Sequence, residues 1–121
     1  MQPEDRDAAL LWDMCEAAKE VVEFVRGVSF VEFSRDKKLR YAVERELMVV
    51  GEAANRISQA LRDRHSEIPW STIIGQRNVL AHEYGEVVVE RVWRVAAERL
   101  PELLRQIEPL IPPAPPDDRT E

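Results

Sequence analysis

The stretch Leu39-Arg-Tyr-Ala-Val-Glu-Arg-Glu-Leu-Met-Val-Val-Gly-Glu-Ala-Ala-Asn-Arg-Ile-Ser-Gln-Ala-Leu61 decides the fold class. Its apolar residues Leu39, Val43, Leu47, Val50, Ala54, Ile57 and Leu61 recur at spacings of three and four. That is the period of one buried helical face and not the alternation of a strand. With Ser34 as N-cap, the pattern predicts a single helix of about 28 residues, the longest in the chain. Gly51 inside it costs about 1 kcal/mol against alanine, which calls for a close approach by another backbone, from a neighbouring helix or a second subunit.

Upstream, Ala8, Leu11, Cys15, Ala18, Val22 and Val25 repeat the same spacing, so a first helix is predicted over Asp7 to Arg26. Gly27 is placed to close it in the left-handed conformation. The β-branched and aromatic segment from Val28 to Phe33 has no strand partner nearby and reads as a loop folded back on the core. Downstream the pattern lapses from Arg64 to Pro69, where Ser66 and Pro69 suggest a loop and a new helix start. A third helix carries Trp70, Ile73, Ile74, Leu80 and Ala81 inward and ends at Gly85. A fourth runs from Val87 to Ile107, with Pro101 kinking or restarting it. The expected fold is therefore all-α: an up-down bundle of four principal helices plus short helical turns. Residues 1–110 form the domain. The run Ile111-Pro-Pro-Ala-Pro-Pro-Asp-Asp-Arg-Thr-Glu121 reads as a proline-rich, solvated tail over 111–121.

The chain has 121 residues, enough for one domain with a real core. No apolar run approaches the roughly 20 residues of a membrane span, and the charged start lacks an apolar leader, so a cytoplasmic protein is expected. The lone Cys15 reads as core, because one cysteine makes neither an intrachain disulfide nor a zinc site. A formal net charge of −6 argues against non-specific coating of nucleic acid. It leaves room for a local site. Basic residues cluster at Arg35, Lys37, Lys38, Arg40 and Arg45 and at Arg56, Arg62 and Arg64, positions that also suit a solvated helix face.

The chemistry-bearing stretch is Gly75-Gln-Arg-Asn-Val-Leu-Ala-His-Glu-Tyr-Gly85. Along an otherwise buried helix it strings a fixed cation (Arg77), an amide (Asn78), a group titrating near neutrality (His82) and a phenol (Tyr84). An arginine followed five positions later by histidine arises by chance in about one such chain in four or five, whereas adding a tyrosine two further on brings this below about one per cent. The triplet is informative where the pair is not. Asn78 and His82, four apart, share a face, while Arg77 and His82 diverge by about 140° around the axis. Either those two flank a groove, or the helix meets a second copy of itself so that each arginine faces the other chain's histidine. Unwinding near Glu83 and Gly85 would bring Tyr84 to the side of His82. His65, in a loop beside Arg64, lacks neighbours at metal-ligand spacing and reads as solvent-facing. Glu52, near Gly51, is the acid expected to hold Arg77 across the bundle.

The run Ile68-Pro-Trp-Ser-Thr-Ile-Ile-Gly-Gln-Arg-Asn-Val-Leu-Ala-His-Glu-Tyr84 resembles the signature of HepT-type toxins, a branch of the HEPN superfamily of small helical ribonucleases. Tyr41 to Ser58 is similar to that family's long second helix, and Val92-Trp93 with Leu100-Pro101-Glu-Leu103 to its last. The resemblance covers nearly everything except the tail. It implies a homodimer whose two motifs line one composite cleft and cut RNA, tRNA or mRNA, without metal or cofactor. By position it makes Arg77 and His82 catalytic, Asn78 supporting, and Tyr84 regulatory. In such type VII-like toxin–antitoxin pairs an MntA-like minimal nucleotidyltransferase antitoxin transfers AMP to this tyrosine and silences the toxin.

The residues agree with that chemistry. Metal-free RNA cleavage needs a base for the 2′-hydroxyl proton, an acid for the leaving 5′-oxygen, and cationic donors for the phosphorane oxygens. Histidine can perform either proton step, and arginine presents a permanently charged fork to phosphate. AMP on Tyr84 would set a phosphodiester anion and a purine where the RNA phosphate belongs. The alternative is a non-catalytic helical subunit that binds nucleotide or substrate for a two-component nucleotidyltransferase. Such a subunit sits more easily with the net acidity, but it need not keep the Arg, His and Tyr triplet.

Overall fold

In the computed structural model the backbone is described at residues 3–82 and 86–112, and the side chains at 4–76 and 89–112. Every regular element among the described residues is helical: α1 (Pro3–Val25), α2 (Phe30–Arg35), α3 (Lys37–Arg56), α4 (Gln59–Arg64), α5 (Trp70–His82), α6 (Glu86–Arg94) and α7 (Leu100–Ile107). The all-α expectation holds there. None of these helices is long and apolar enough to cross a membrane. The tail from residue 113 onward lies outside the described residues.

Helix α1 buries a broad stripe of Leu10, Leu11, Met14, Cys15, Ala17, Ala18, Val21 and Val25. It ends as the sequence predicts: Gly27 takes φ +72°, and the Val28 N–H donates to the Val25 carbonyl at 3.0 Å. That conformation favours glycine because a Cβ would crowd the backbone. Beyond it the expected loop is a helix. Ser29 Oγ accepts from the Glu32 N–H while the Glu32 carboxylate accepts from the Ser29 N–H, each at 3.1 Å, forming a capping box that starts α2. Phe33 is fully buried, its ring 5.2 Å from that of Trp93. The folding-back of this segment therefore holds, but its loop assignment does not. Ser34 lies inside α2 and donates to the Val31 carbonyl. The N-cap of α3 is Asp36, which accepts from the Leu39 N–H at 3.0 Å.

The 28-residue helix expected from the apolar period is two helices. Helix α3 stops at Ile57, whose φ of −65° and ψ of 141° are extended, and Ser58 caps α4 by accepting from the Leu61 N–H at 3.2 Å. The cause lies on α1. Asp7, buried at 6% exposure, accepts from the Ser58 N–H at 2.9 Å and from its hydroxyl at 2.6 Å. The break thus satisfies a buried carboxylate that a continuous helix, whose backbone donors are already engaged, would leave orphaned.

Helix α3 packs on both α1 and α5, and α1 also packs on α7. Val43, Leu47, Val50, Ala54, Ile57, Leu100, Leu103 and Ile107 complete the core. The last expected helix is segmented: α6, a π-helical turn over Val95–Arg99, α7, and a 3-10 turn over Glu108–Leu110. The interruption sits one turn before Pro101, where the missing N–H and the ring's clash with the carbonyl four residues back forbid regular α geometry.

Candidate active site

Helix α5 carries Arg77, Asn78 and His82, and its start is pinned from several directions. The Trp70 Nε1–H donates to the His65 carbonyl at 3.0 Å. The Trp70 N–H donates to the carbonyl of Ile68 at 2.8 Å, and Ile68 is itself buried. Gln106 Nε2 on α7 donates to the Glu67 carbonyl at 3.3 Å. The loop from His65 to Pro69 is thus a seat for α5. His65, half-buried, caps α4 and has Nδ1 3.6 Å from Glu67.

From Trp70 the helix runs unbroken to His82. At about 100° per residue the positions of Arg77 and His82 therefore lie about 140° apart round one axis, as the sequence implies. The side chains of Arg77, Asn78 and His82, and Tyr84 altogether, lie outside the described residues. Position alone is informative, because residues 71, 75, 78 and 82 follow each other at spacings of four, three and four and form a single stripe. Of that stripe Ser71 is exposed, and a Cβ built on Gly75 would meet nothing within 4 Å among the described residues. Asn78 and His82 thus continue a line whose described part is open. Glu52, the acid expected to hold Arg77, is exposed on α3. It stands about 200° round that helix from Val50, which faces the α5 side.

Three depressions border α5. An apolar cavity of about 270 Å³ lies where Leu47 and Val50 of α3 meet Thr72, Ile73 and Gln76 of α5 and Leu100 and Leu103 of α7. Beside it an open depression of about 410 Å³ is lined by Thr72, Gly75 and Gln76 from α5 and by Val95, Arg91, Arg94 and Arg99 from the α6 side. Its described lining holds three guanidinium groups and no carboxylate. Sequence reasoning missed these arginines, because each is an ordinary exposed helix residue until α6 and the turn after it border the same opening as α5. Of the basic clusters it did single out, Arg35, Lys37, Lys38, Arg45, Arg56 and Arg64 are exposed. Arg62, with Asp63 beside it, lines the third, an open depression of about 520 Å³ on the other side of Gly75.

Titratable groups away from α5 behave as packing dictates. Burial pushes the Cys15 thiol up, with the Lys19 charge pulling it back. It is a free, buried core residue, as expected. Burial likewise raises Glu44, opposed by Arg40. Glu46 is raised first by burial and then by the carboxyl of Glu20 beside it.

The family described as "Ribonuclease HepT-like" matches residues 14–110. Over 100 residues the chain is 34% identical to "Putative RNase MJ1380" of Methanocaldococcus jannaschii, covering 83% of this chain and 92% of that protein. It is 37% identical over 100 residues to "Probable ribonuclease HepT" of Thermococcus cleftensis, covering 83% and 91%. No solved structure matches.

Proposed function

Because the chain belongs to the HepT-like ribonuclease family, we propose that it is a metal-independent endoribonuclease toxin whose active site is built from the α5 motif of two copies. The observation that carries this is the continuity of α5 from Trp70 to His82. It holds the Arg77 and His82 positions about 140° apart, so one helix cannot turn both to one phosphate and a second α5 supplies the missing partner. The principal helices α1, α3, α5 and α6–α7 form the up-down bundle that presents this helix to its twin.

In the cleft, one His82 takes the proton of the RNA 2′-hydroxyl as its oxygen attacks the adjacent phosphorus. The bond from phosphorus to the 5′-oxygen breaks, and the other His82 returns a proton to that oxygen, leaving a 2′,3′-cyclic phosphate. Arg77 stabilises the charge on the non-bridging oxygens, with Asn78 orienting the histidine; Glu52, exposed on the α3 face turned from α5, takes no part. General acid–base help of this kind contributes about 10² to 10⁴ in rate, and electrostatic stabilisation as much or more. Tyr84, two residues past the histidine, is the off-switch: a nucleotidyltransferase antitoxin transfers AMP to its phenol, and the adduct's phosphodiester occupies the place of the RNA phosphate.

The test has two parts. His82→Ala and Arg77→Ala are expected to abolish RNA cleavage and growth inhibition while leaving helicity and oligomeric state intact. Parental cleavage by purified His82→Ala protein would sink the catalytic assignment. Incubation with the cognate nucleotidyltransferase and ATP should add AMP mass at Tyr84. Unchanged mass with stable association would instead identify a non-catalytic substrate-binding subunit.

A further inference from the structure

We propose that the arginine-lined depression beside Gly75 is the track along which the phosphodiester backbone of a single-stranded RNA enters the cleft, with Arg91, Arg94 and Arg99 as substrate-positioning residues. This rests on the ribonuclease reading above. It goes further in assigning the binding surface to α6 and the π-helical turn, outside the α5 motif.

Three observations converge. The first is charge. In a chain of net charge −6, the described lining gathers Arg91, Arg94 and Arg99 with the polar Thr72 and Gln76 and contains no acid. All three arginines are exposed. Glu90 engages Arg94 at 3.0 Å, but a guanidinium has five N–H donors and one exposed carboxylate leaves most of the fork for a phosphate.

The second is register. In an uninterrupted α-helix Arg99 would stand about 140° from Arg94. The π-helical turn over Val95–Arg99, closed by the Leu100 N–H on the Val95 carbonyl, inserts one extra residue into the turn. That reduces the separation to about 40°, and Arg99 then falls between Arg91 and Arg94 on one line.

The third is Gly75. Glycine inside a helix is unfavourable, and among the described residues nothing approaches within 4 Å of where its Cβ would be. The space there is open to a ligand's backbone. Gly75 lines the depression, borders the one on the Arg62 side as well, and lies on the stripe that continues to Asn78 and His82, about 10 Å along the axis at 1.5 Å per residue. A strand crossing Gly75 is delivered to the histidine. A second copy of the chain is the weaker occupant, since an isologous contact here would set like-charged arginines against one another.

The experiment uses the full chain and a short fluorescein-labelled oligouridine, read by anisotropy across a salt series, together with cleavage kinetics. Removing an arginine that neutralises a single-strand phosphate lowers the slope of log K against log salt by about 0.7, so Arg94→Gln/Arg99→Gln should lower it by about 1.4. Affinity should fall about tenfold, with KM raised and kcat unchanged. Arg26→Gln, at an exposed arginine just past α1 that is ion-paired with Glu23, should change neither. Gly75→Ala should raise the melting temperature while weakening oligouridine binding, a split that a merely structural glycine would not produce.

Unchanged slope and KM in the double variant, with the parent still cutting RNA, overturn the track and leave the ribonuclease reading standing. A parent that does not cut RNA but binds it with the predicted slope change upholds the track and overturns the catalysis. A parent that does not bind oligouridine overturns both. If Gly75→Ala shifts the oligomeric state and leaves RNA affinity untouched, the occupant of the depression is a second copy, and the proposal fails.

Discussion

Replacing Asp7 by alanine should cost about 3 kcal/mol of folding free energy. The carboxylate is buried at 6% exposure and accepts two hydrogen bonds, from the Ser58 N–H at 2.9 Å and its hydroxyl at 2.6 Å. Hydrogen bonds to a charged group are each worth roughly 1.5–3 kcal/mol, and the lower end applies because Ser58 is only partly buried. Alanine forfeits both and leaves the Ser58 N–H without its acceptor. In a chain of this size that is a fall of about 10 °C in melting temperature. Asp7→Asn, keeping one acceptor oxygen, should lose about half as much. Ser58→Ala removes an N-cap and should cost about 1 to 2 kcal/mol. The two sites share a contact, so the double variant should be about 1.5 kcal/mol less destabilised than the sum. Urea unfolding followed by far-ultraviolet circular dichroism measures all four, at one fixed protein concentration so that association does not enter the comparison. A loss below about 1 kcal/mol for Asp7→Ala, or a cycle additive to within about 0.5 kcal/mol, would refute the argument that this carboxylate sets the break between α3 and α4.

Glu46 gives a pH dependence whose sign can be worked out. Its folded-state value is raised by burial and by Glu20, so the fold favours the protonated form; this stabilisation is complete below the ordinary glutamate value and is lost as pH rises through the raised one. Glu46→Gln should therefore be more stable than the parent at neutral pH, with a flatter urea midpoint from mildly acidic to neutral pH, and parallel curves would dismiss the Glu20 pairing. Cys15 is 1% exposed and its thiol is pushed up by burial, so a thiol reagent at neutral pH should label the native protein at least about a hundredfold more slowly than the urea-unfolded chain. Equal rates would mean that α1 opens locally around it. Phe33→Ala empties a site of 0% exposure beside Trp93 and should cost about 3–5 kcal/mol in the same urea assay. A cost below about 1 kcal/mol would mean that α2 is not docked on the core.

What the sequence discloses follows from which signals are local. The end of α1 at Gly27 and the interruption near Pro101 are written in single residues whose backbone restrictions hold anywhere. The break at Ile57–Ser58 is not. Ala54, Ile57 and Leu61 carry the apolar period straight across it, and only Asp7, 51 positions away, shows why the helix must stop. Helix α2 had a local signal in Ser29 and Glu32, a capping-box pair three apart, but the β-branched and aromatic composition between Val28 and Phe33 outweighed it. The cap expected at Ser34 moves to Asp36 because α2 takes Ser34 into its own last turn. The α5 motif was legible because its chemistry resides in residue types at fixed spacing. The arginine depression was not, because it exists only where the chain, turning back after α5, sets α6 and the π-helical turn along the same opening.

The π-helical turn joins these levels. Pro101 lacks the donor a regular turn would use and collides with the carbonyl of Ala97, so the helix relieves the conflict by widening over Val95–Arg99. The widening has two effects on opposite faces. Toward the core it keeps Val95, Ala96 and Leu100 buried, preserving the apolar stripe that continues through Leu103 to Ile107. Toward α5 it advances Arg99 by one residue into line with Arg91 and Arg94. Val95 and Arg99 border both the apolar cavity and the basic depression, so one backbone irregularity sets the wall between them. Without the extra residue, a sequence with the same three arginines would send Arg99 about 140° away from Arg94. A proline about one turn beyond the site therefore determines whether these guanidinium groups act on one phosphate backbone or on separate faces of the helix.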